Sequence, residues 1–218
     1  MKTARALVTF FIYQNAKNTK GNFDGFFDKV KDNDYIIGAD KGYTYIEKIG
    51  LKPNLIIGDF DSAKKPDFKN KIVLKPEKDE TDLYAAINIG IEKGYKKFIV
   101  YGALGGRLSH TIANIKIIEE FKKKGIDIVL KSKNQKVFVI NKNFIEKKQI
   151  ENTYISIFSL TDKIENLNLI NLKYQLKNFT LKNDMHLGVS NEPVGKEFKI
   201  EFDKGMILVI YENKNVYK

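Results

Sequence analysis

The first half of the chain alternates between short apolar runs and amphipathic segments, and this alternation restricts the fold more than any other feature. Six apolar runs predict buried strands, at residues 6–12, 35–39, 54–58, 71–74, 98–102 and 126–130. Between several of them, segments such as TDLYAAINIGIEKG and SHTIANIKIIEEFKKKG have helical spacing, the second with Ile112, Ile115 and Ile118 on one face. Strands alternating with helices predict an α/β fold with a mostly parallel, doubly wound sheet and helices on both faces.

The pattern changes after about residue 132. The later apolar segments KVFVINKNF, NTYISIFSL, NLNLINLKYQL, KEFKIEF and MILVIYE are short, rich in β-branched and aromatic residues, and separated by turn-forming residues. This pattern is typical of an antiparallel β-sandwich or half-barrel. We therefore predict two domains, an α/β nucleotide-binding catalytic domain over 1–132 and an all-β domain over 133–218.

Composition excludes several classes of protein. The 218 residues include no cysteine, which rules out disulfides and thiolate metal sites and fits a reducing, cytoplasmic location. The net charge of +11 comes from lysines spread along the chain, whereas nucleic-acid binding expects a clustered basic stripe, so we predict no nucleic-acid partner. The basic, apolar N-terminus could be a signal peptide, but we interpret it as a strand. No stretch approaches the roughly 20 apolar residues that span a membrane.

The segment IIGDFDS places two aspartates, Asp59 and Asp61, one residue apart after a predicted strand. In an extended chain, alternate side chains point to the same side, so both carboxylates would face one point while Phe60 turned toward packing. Converging carboxylates repel each other unless a cation lies between them. A hard divalent cation such as Mg²⁺ prefers such oxygen ligands.

Further polar residues follow neighbouring strands, at the edge where open α/β sheets bind ligands. Asp40 follows YIIGA, and Lys78 in EKDETD could meet a phosphate as a point charge. Thr81 is either an ordinary helix N-cap or a ligand contact. Asp82 falls in the first helical turn, where an anion is tolerated, and could supply a third carboxylate to the cation.

The segment GALGGRLSH is a glycine-rich loop leading into a helix. Gly105 and Gly106 let main-chain N–H groups approach an anion closely, and the helix N-terminus adds partial positive charge. Arg107 is one of only two arginines among 38 basic residues, which favours a need for the planar fork that grips phosphate. His110 has either a structural role at the helix start or contacts the ligand. Together these features indicate Mg-nucleotide chemistry.

At this point the sequence resembles the thiamine pyrophosphokinase family over nearly its whole length. The matching segments are IIGADKGYTYIEKIGLKPNLIIGDFDS, KDETDLYAAI, GALGGRLSHTIANI, NLKYQL and LGVSNE. The resemblance implies an α/β nucleotide domain followed by an all-β thiamine-binding domain. It also implies Mg²⁺-dependent transfer of pyrophosphate from ATP to the hydroxyethyl group of thiamine, giving thiamine diphosphate and AMP. Family members are homodimers with the active site between subunits.

The resemblance also implies roles for individual residues. Asp59, Asp61 and Asp82 would bind Mg²⁺, and Arg107 would grip the phosphates. The nucleotide site would be lined by Asp40, Lys78, Thr81, Gly105 and Gly106. Thiamine would be seated by Ser190 and Asn191, with Tyr174 and His110 as further candidates for substrate contact.

Two residues depart from the family pattern. Lys41 stands where the family usually has a second glycine, and Ser109 replaces an aspartate near the metal. Either three aspartates suffice, or a water molecule or the Ser109 hydroxyl fills the gap; the position of Ser109 also predicts a helix N-cap. Two other functions stay open, a pyrophosphokinase or phosphotransferase acting on another small alcohol, and a thiamine or nucleotide sensor without catalysis.

Overall fold

A computed structural model of the protein describes five stretches of the chain, residues 6–9, 30–60, 67–75, 80–195 and 197–216. The mixed α/β fold predicted from the sequence is confirmed. The chain divides into two compact units, Met1–Lys133 and Asn134–Lys218. Two predicted site residues, Asp61 and Lys78, lie outside the described stretches.

The first unit contains a sheet whose described strands all pair in parallel. Its strands are β1 (Ala6–Thr9), β2 (Tyr35–Ala39), β3 (Leu55–Gly58), β4 (Lys71–Val73), β5 (Lys97–Tyr101) and β6 (Asp127–Lys131). Their order across the sheet is β4-β3-β2-β1-β5-β6. The direction of winding reverses between β1 and β5, which is the kind of position where open α/β sheets bind ligands.

The strands of this sheet differ in burial. Ile37 on β2 and Ile56 and Ile57 on β3 are completely buried, as expected for parallel strands covered on both faces. The run at 71–74 was predicted as a buried strand, and it does form a strand, but Ile72 and Val73 are exposed. Burial fails there because β4 lies at the edge of the sheet, with a single neighbouring strand.

Three helices of the first unit are described, α1 (Gly42–Lys48), α2 (Asp82–Glu92) and α3 (Leu108–Lys123). The predicted face of α3 is wrong in part, since Ile112 is 50% exposed, whereas Asn114, Ile117 and Ile118 are buried. A spacing of three residues drifts away from the 3.6-residue period of a helix. No helix in the described part of the chain has the length and apolar character needed to cross a membrane.

The second unit consists of antiparallel strands in two sheets. In one sheet β13 (Ile207–Asn213) lies between β7 (Gln135–Ile140) and β9 (Thr153–Ser159). The other sheet has the order β11-β10-β12-β8, formed by β11 (Leu176–Lys182), β10 (Lys163–Ile170), β12 (Phe198–Glu201) and β8 (Phe144–Glu146). The antiparallel character predicted for this half of the chain therefore agrees with the observed pairing.

Aromatic side chains join the two sheets of the second unit. Phe138 of β7 lies 5.4 Å, between ring centroids, from Phe144 of β8. Phe198 of β12 lies 6.2 Å from Tyr211 of β13. Burial, followed by the nearby Glu146 carboxylate, raises the pKa of Tyr211 above its ordinary value, so its hydroxyl stays protonated and donates to Glu146 at 3.3 Å.

Two segments of the second unit differ from the sequence prediction. The apolar segment NLNLINLKYQL is not one strand, because β10 ends at Ile170 and Asn171 adopts a left-handed conformation with φ of 58°. The chain then turns, so that Tyr174 lies between β10 and β11. Strand β11 was not predicted from the sequence, because most of its residues are exposed and polar. Leu181 is the buried residue of this strand.

Candidate active site

The ends of β2 and β3 lie very close together at Asp40. The Asp40 N–H donates to the Ile57 carbonyl at 2.7 Å, and its φ of 47° places it in the left-handed region. A Cβ atom added to Gly58 would lie 3.1 Å from Asp40 Cα and 3.2 Å from its nitrogen. Glycine at position 58 therefore permits the approach that brings the Asp40 and Asp59 loops together.

Phe60 turns the chain immediately after Asp59. Its φ is 52°, a conformation that is unusual for a bulky side chain and costs about 1–3 kcal/mol. The ring is only 4% exposed and meets Tyr43 edge-on, so Phe60 packs inward as predicted. Phe60 is therefore left-handed and not extended as assumed, and the predicted convergence of Asp59 with Asp61 lies outside the described residues because Asp61 does.

The carboxylates of Asp40, Asp59 and Asp82 in the first unit are near enough for the charges of Asp59 and Asp82 to act on Asp40. Burial raises the pKa of the Asp40 carboxyl above its ordinary value; a hydrogen bond from the Lys41 main chain lowers it, and the charges of Asp82 and Asp59 raise it. Such an effect requires nearby carboxylates, and a cation would relieve their repulsion. Within the described stretches no three His, Asp or Glu residues are close enough to hold a metal, and Asp61 is not among them.

Thr81 and Asp82 begin α2. The Thr81 hydroxyl accepts a hydrogen bond from the Tyr84 N–H at 3.2 Å, so the N-cap role considered from the sequence is present. Asp82 is the first residue of the helix and is half-buried. Its carboxylate thus combines the favourable field of a helix N-terminus with the unfavourable charges of the other aspartates.

The glycine loop leads directly into α3. Gly105 and Gly106 have φ values of 90° and 77°. A Cβ at Gly105 would have nothing within 4 Å, so the left-handed conformation, not crowding, requires glycine there. These two residues lead into a helix of 16 residues, and a helix N-terminus is a favourable place for an anion.

Arg107 occupies the N-cap position of α3 and is exposed. Its guanidinium contacts the imidazole of His110, so the two candidate residues lie together on the first turn. The predicted N-cap role of Ser109 is wrong. Because Gly105 and Gly106 complete the turn earlier, the helix begins at Leu108, and Ser109 is an exposed residue of the first turn.

Ser190 and Asn191 lie against β9 in the second unit. Ser190 is exposed, has a φ of 55°, and its N–H donates to the Ser156 hydroxyl at 3.0 Å. Asn191 is 4% exposed and exchanges two main-chain hydrogen bonds with Ile155, at 2.7 and 2.9 Å. The SN segment is therefore fixed to the sheet.

The Asn191 side chain connects this segment to the turn that carries Tyr174. Its carboxamide oxygen accepts from the N–H groups of Tyr174 and Glu192, both at 2.9 Å. Its nitrogen donates to the Tyr174 carbonyl at 2.7 Å. Tyr174 itself is 59% exposed, so the predicted substrate-contact residue presents its ring at the surface of this unit.

Several residues of these two regions were missed by sequence reasoning. Glu192 forms ion pairs with Lys173 at 3.2 Å and with Lys214 at 2.5 Å, across the same turn. Leu187 and Val189 are about half exposed beside Ser190. The segment LGVSNE does indicate that its apolar residues are exposed. It mixes apolar and polar residues, is short and contains a glycine, so it is unlike a core strand.

Comparison with protein families gives two matches along the chain. Residues 26–130 match the model of the thiamin pyrophosphokinase catalytic domain. Residues 142–207 match the model of the thiamin pyrophosphokinase vitamin B1 binding domain. The two matches fall in the first and second units, respectively.

Individual relatives agree with the family matches. Thiamine pyrophosphokinase of Bacillus subtilis is 30% identical over 183 residues, which are 80% of this chain and 85% of that relative. The crystal structure of the Bacillus subtilis enzyme aligns with a TM-score of 0.82 and 26% identity, covering 96% of this chain and 99% of that one. A thiamin pyrophosphokinase family protein from Enterococcus faecalis aligns with a TM-score of 0.79 and 25% identity, covering 97% and 99%.

Proposed function

This chain belongs to the thiamin pyrophosphokinase family and is an enzyme that transfers pyrophosphate from ATP to thiamine, and from this premise we propose which residues carry out the reaction. The overall step joins the hydroxyl oxygen of thiamine to the β-phosphorus of ATP. The bond between that phosphorus and the oxygen of AMP breaks, so the products are thiamine diphosphate and AMP.

We propose that Asp59, Asp61 and Asp82 hold Mg²⁺. The support for this assignment is that Asp59 and Asp82 both act on Asp40, since their charges, after burial, raise the pKa of the Asp40 carboxyl. When bound, the metal neutralises charge on the transferring phosphates and orients them. Asp40 and Thr81 would line the nucleotide, Asp40 from the end of β2 and Thr81 from the start of α2.

The phosphates would lie at the glycine loop. Main-chain N–H groups of Gly105 and Gly106 and the N-terminus of α3 supply fixed partial positive charge. Arg107 supplies a bidentate fork, and Lys78 supplies a second cation. These groups stabilise charge that develops on the phosphate oxygens during in-line transfer.

We assign the thiamine site to Tyr174 and to the segment of Ser190 and Asn191, with His110 at the phosphate side. Asn191 acts there either by direct contact or through Tyr174. Thiamine carries a flat cationic ring, and the exposed face of a tyrosine attracts such a cation. The half-exposed side chains of Leu187 and Val189 would add apolar contact beside Ser190.

We also propose a homodimer whose active site lies at the subunit interface. The phosphate residues belong to the first unit and Tyr174, Ser190 and Asn191 to the second. A two-fold interface creates two such composite sites at once. Light scattering that found a fully active monomer at the assay concentration would contradict this proposal.

The placement of the helices, the form of the second unit and the location of the protein are further proposals. Right-handed connections between parallel strands would place α1 and α3 on opposite faces of the first sheet, because β2→β3 and β5→β6 advance in opposite directions. The second unit would then be the sandwich to which thiamine binds. A cytoplasmic location is proposed from the absence of cysteine.

The observation that carries the proposal is the grouping of Asp40, Asp59 and Asp82 in one region of the first unit. The test is incubation with ATP, Mg²⁺ and thiamine, followed by chromatography of the products. We expect equal amounts of AMP and thiamine diphosphate, and no product when Mg²⁺ is chelated. Release of ADP, or turnover with another small alcohol in preference to thiamine, would contradict it.

A further inference from the structure

The side chain of Asn191 is almost entirely engaged within its own unit. A carboxamide offers two acceptor sites and two donor hydrogens. Asn191 uses both acceptor sites for the N–H groups of Tyr174 and Glu192, and one donor for the Tyr174 carbonyl. With 4% of the residue exposed, little of this amide remains for a substrate.

We propose that Asn191 is a positioning residue, which holds the Tyr174 ring in the orientation that receives thiamine and acts through Tyr174 without contacting the substrate itself. The inference rests on the proposed function, because it takes Tyr174 as the residue that meets thiamine. It differs from the expectation that Asn191 seats thiamine directly. The distinction can be measured, because an indirect effect depends on the presence of the tyrosine ring.

The geometry at Tyr174 favours such a role. Asn191 bonds both the N–H and the carbonyl of Tyr174, at 2.9 and 2.7 Å, which fixes the two peptide groups that flank its Cα. The direction of the Cα–Cβ bond is thereby fixed. The residue is 59% exposed, and the Lys173 ammonium lies 5.5 Å from the ring centroid, so packing contributes less to the ring's orientation than it would in a core and the main chain matters more.

Asn191 can act as an anchor because it is itself fixed. Its main chain is paired in both directions with Ile155 of β9. The preceding part of the tyrosine turn is also attached, since the Lys173 N–H donates to the Glu192 carbonyl at 2.8 Å and Leu172 pairs with Pro193. The Asn191 amide thus extends this attachment by one residue, to the residue whose side chain is exposed.

The expected consequence concerns thiamine affinity alone. A ring ordered before binding loses less entropy when the ligand arrives than a ring that must be ordered by the ligand. Loss of the amide should therefore raise the KM for thiamine. The KM for ATP should change little, because the nucleotide residues belong to the first unit.

The test compares steady-state kinetics of Asn191→Ala, Tyr174→Ala and the double variant. We expect each single substitution to raise the KM for thiamine roughly tenfold, the scale of a lost buried hydrogen-bond pair, with the KM for ATP within about twofold. The double variant should resemble Tyr174→Ala, since coupled residues are not additive. Asn168→Ala is the matched control, because Asn168 also bonds two main-chain segments of this unit and should leave both KM values unchanged.

A spectroscopic measurement separates positioning from general loss of structure. The chain contains no tryptophan, so Tyr174→Trp introduces a single indole whose fluorescence anisotropy reports on the ring's mobility. We expect the anisotropy to fall when Asn191→Ala is added and to stay constant when Asn168→Ala is added. If Asn191→Ala does not fold, Asn191→Asp replaces it, since this variant keeps the size and the acceptor oxygens but cannot donate to the Tyr174 carbonyl.

The outcomes distinguish an error in the placement of thiamine at Tyr174 from an error in the proposed role of Asn191. If Tyr174→Ala leaves the KM for thiamine unchanged, the placement of thiamine at Tyr174 is wrong and the inference falls with it. If Tyr174→Ala raises that KM but Asn191→Ala does not, or if the two factors multiply in the double variant, the inference alone is wrong. An unchanged anisotropy in the presence of Asn191→Ala would overturn it as well.

Discussion

The two candidate regions are built in opposite ways. In the first unit, burial raises the pKa of the Asp40 carboxyl, and the negative charges of Asp82 and Asp59 raise it further. In the second unit, the neutral amide of Asn191 satisfies three main-chain groups with hydrogen bonds. The charges of the first arrangement repel one another, whereas the amide of the second has its hydrogen-bond partners without a ligand. We infer that the first region is adapted to a charged, metal-bearing substrate and the second provides a preformed surface.

Both regions contain residues in the left-handed conformation, but the residue types differ. Phe60 and Ser190 both have positive φ values, 52° and 55°, and so does Asn171 with 58°. Asparagine enters the left-handed region easily, whereas a buried phenylalanine does so at a cost. Because Phe60 is the bulkiest of these residues, its conformation, next to Asp59, is the most costly of the three.

The largest effect should come from removing one carboxylate of the first region. Asp82→Asn should lower turnover by more than about 10³-fold, because a metal ligand and its charge are lost, while the fold survives. Product formation and thermal unfolding check this, with Glu92→Gln at the other end of α2 as the control. If Asp82→Asn kept a near-normal rate at ordinary Mg²⁺ concentration, the metal assignment would be wrong. The proposed electrostatic difference between the two regions would then be wrong as well.

The next effect tests geometry at constant charge. Arg107→Lys keeps a cation but loses the planar fork, so we expect a loss of roughly 10²–10³ in kcat. Lys123→Arg, in the last turn of the same helix, makes the reverse exchange and should have no effect. A wild-type rate in Arg107→Lys would mean that any cation serves at the glycine loop.

A smaller effect is expected from Gly58→Ala, which probes the contact between two loops. The added Cβ would meet the Asp40 main chain at 3.1 Å, so we expect a destabilisation of about 1–3 kcal/mol. Because Asp40 must shift, kcat should also fall by roughly tenfold. In Gly50→Ala, whose Cβ meets nothing within 4 Å, only stability should fall, owing to its φ of 76°. Equal rates in the two variants would show that the approach of Asp40 to Gly58 has no catalytic role.

The smallest effect is expected from adding a negative charge at Ser109, which should change the Mg²⁺ concentration needed for activity. Ser109→Asp restores the aspartate of the family pattern on the first turn of α3, in the favourable field of the helix N-terminus. Half-saturation by Mg²⁺ should shift roughly two- to fivefold lower, the factor that corresponds to 0.3–1 kcal/mol. Ser109→Ala should match the wild type, and its inactivity at saturating Mg²⁺ would instead assign the hydroxyl a direct part in the reaction.

Apolar patterning predicted the framework well. The run at 35–39 coincides with β2, and the other first-half runs lie within a few residues of observed strands, because buried parallel strands require continuous apolar residues. The helical face containing Leu83, Ala86 and Ile87 is also buried as its spacing indicates. The family and its reaction followed from ordered motifs, which carry more information than any single segment.

Local conformations escaped prediction. Nothing in the segment IIGDFDS indicates that Phe60 is left-handed, and the ring of Phe60 packs against Tyr43, a residue distant in the sequence. The bonds of Asn191 to Tyr174 join residues 17 apart in sequence, and no periodicity reports such a contact. The placement of Tyr174 in a turn likewise depends on Asn171, whose left-handed conformation ends β10.

The position of β13 between β7 and β9 has a consequence for how the second unit is made. During synthesis β7 and β9 emerge well before β13, the strand that joins them, so their open edges must wait for it. At a translation rate of roughly 5–20 residues per second, that interval lasts seconds, and exposed strand edges are prone to association with other chains. Substitutions that weaken β13 should therefore reduce the yield of folded enzyme in cells more than they reduce the activity of the molecules that do fold.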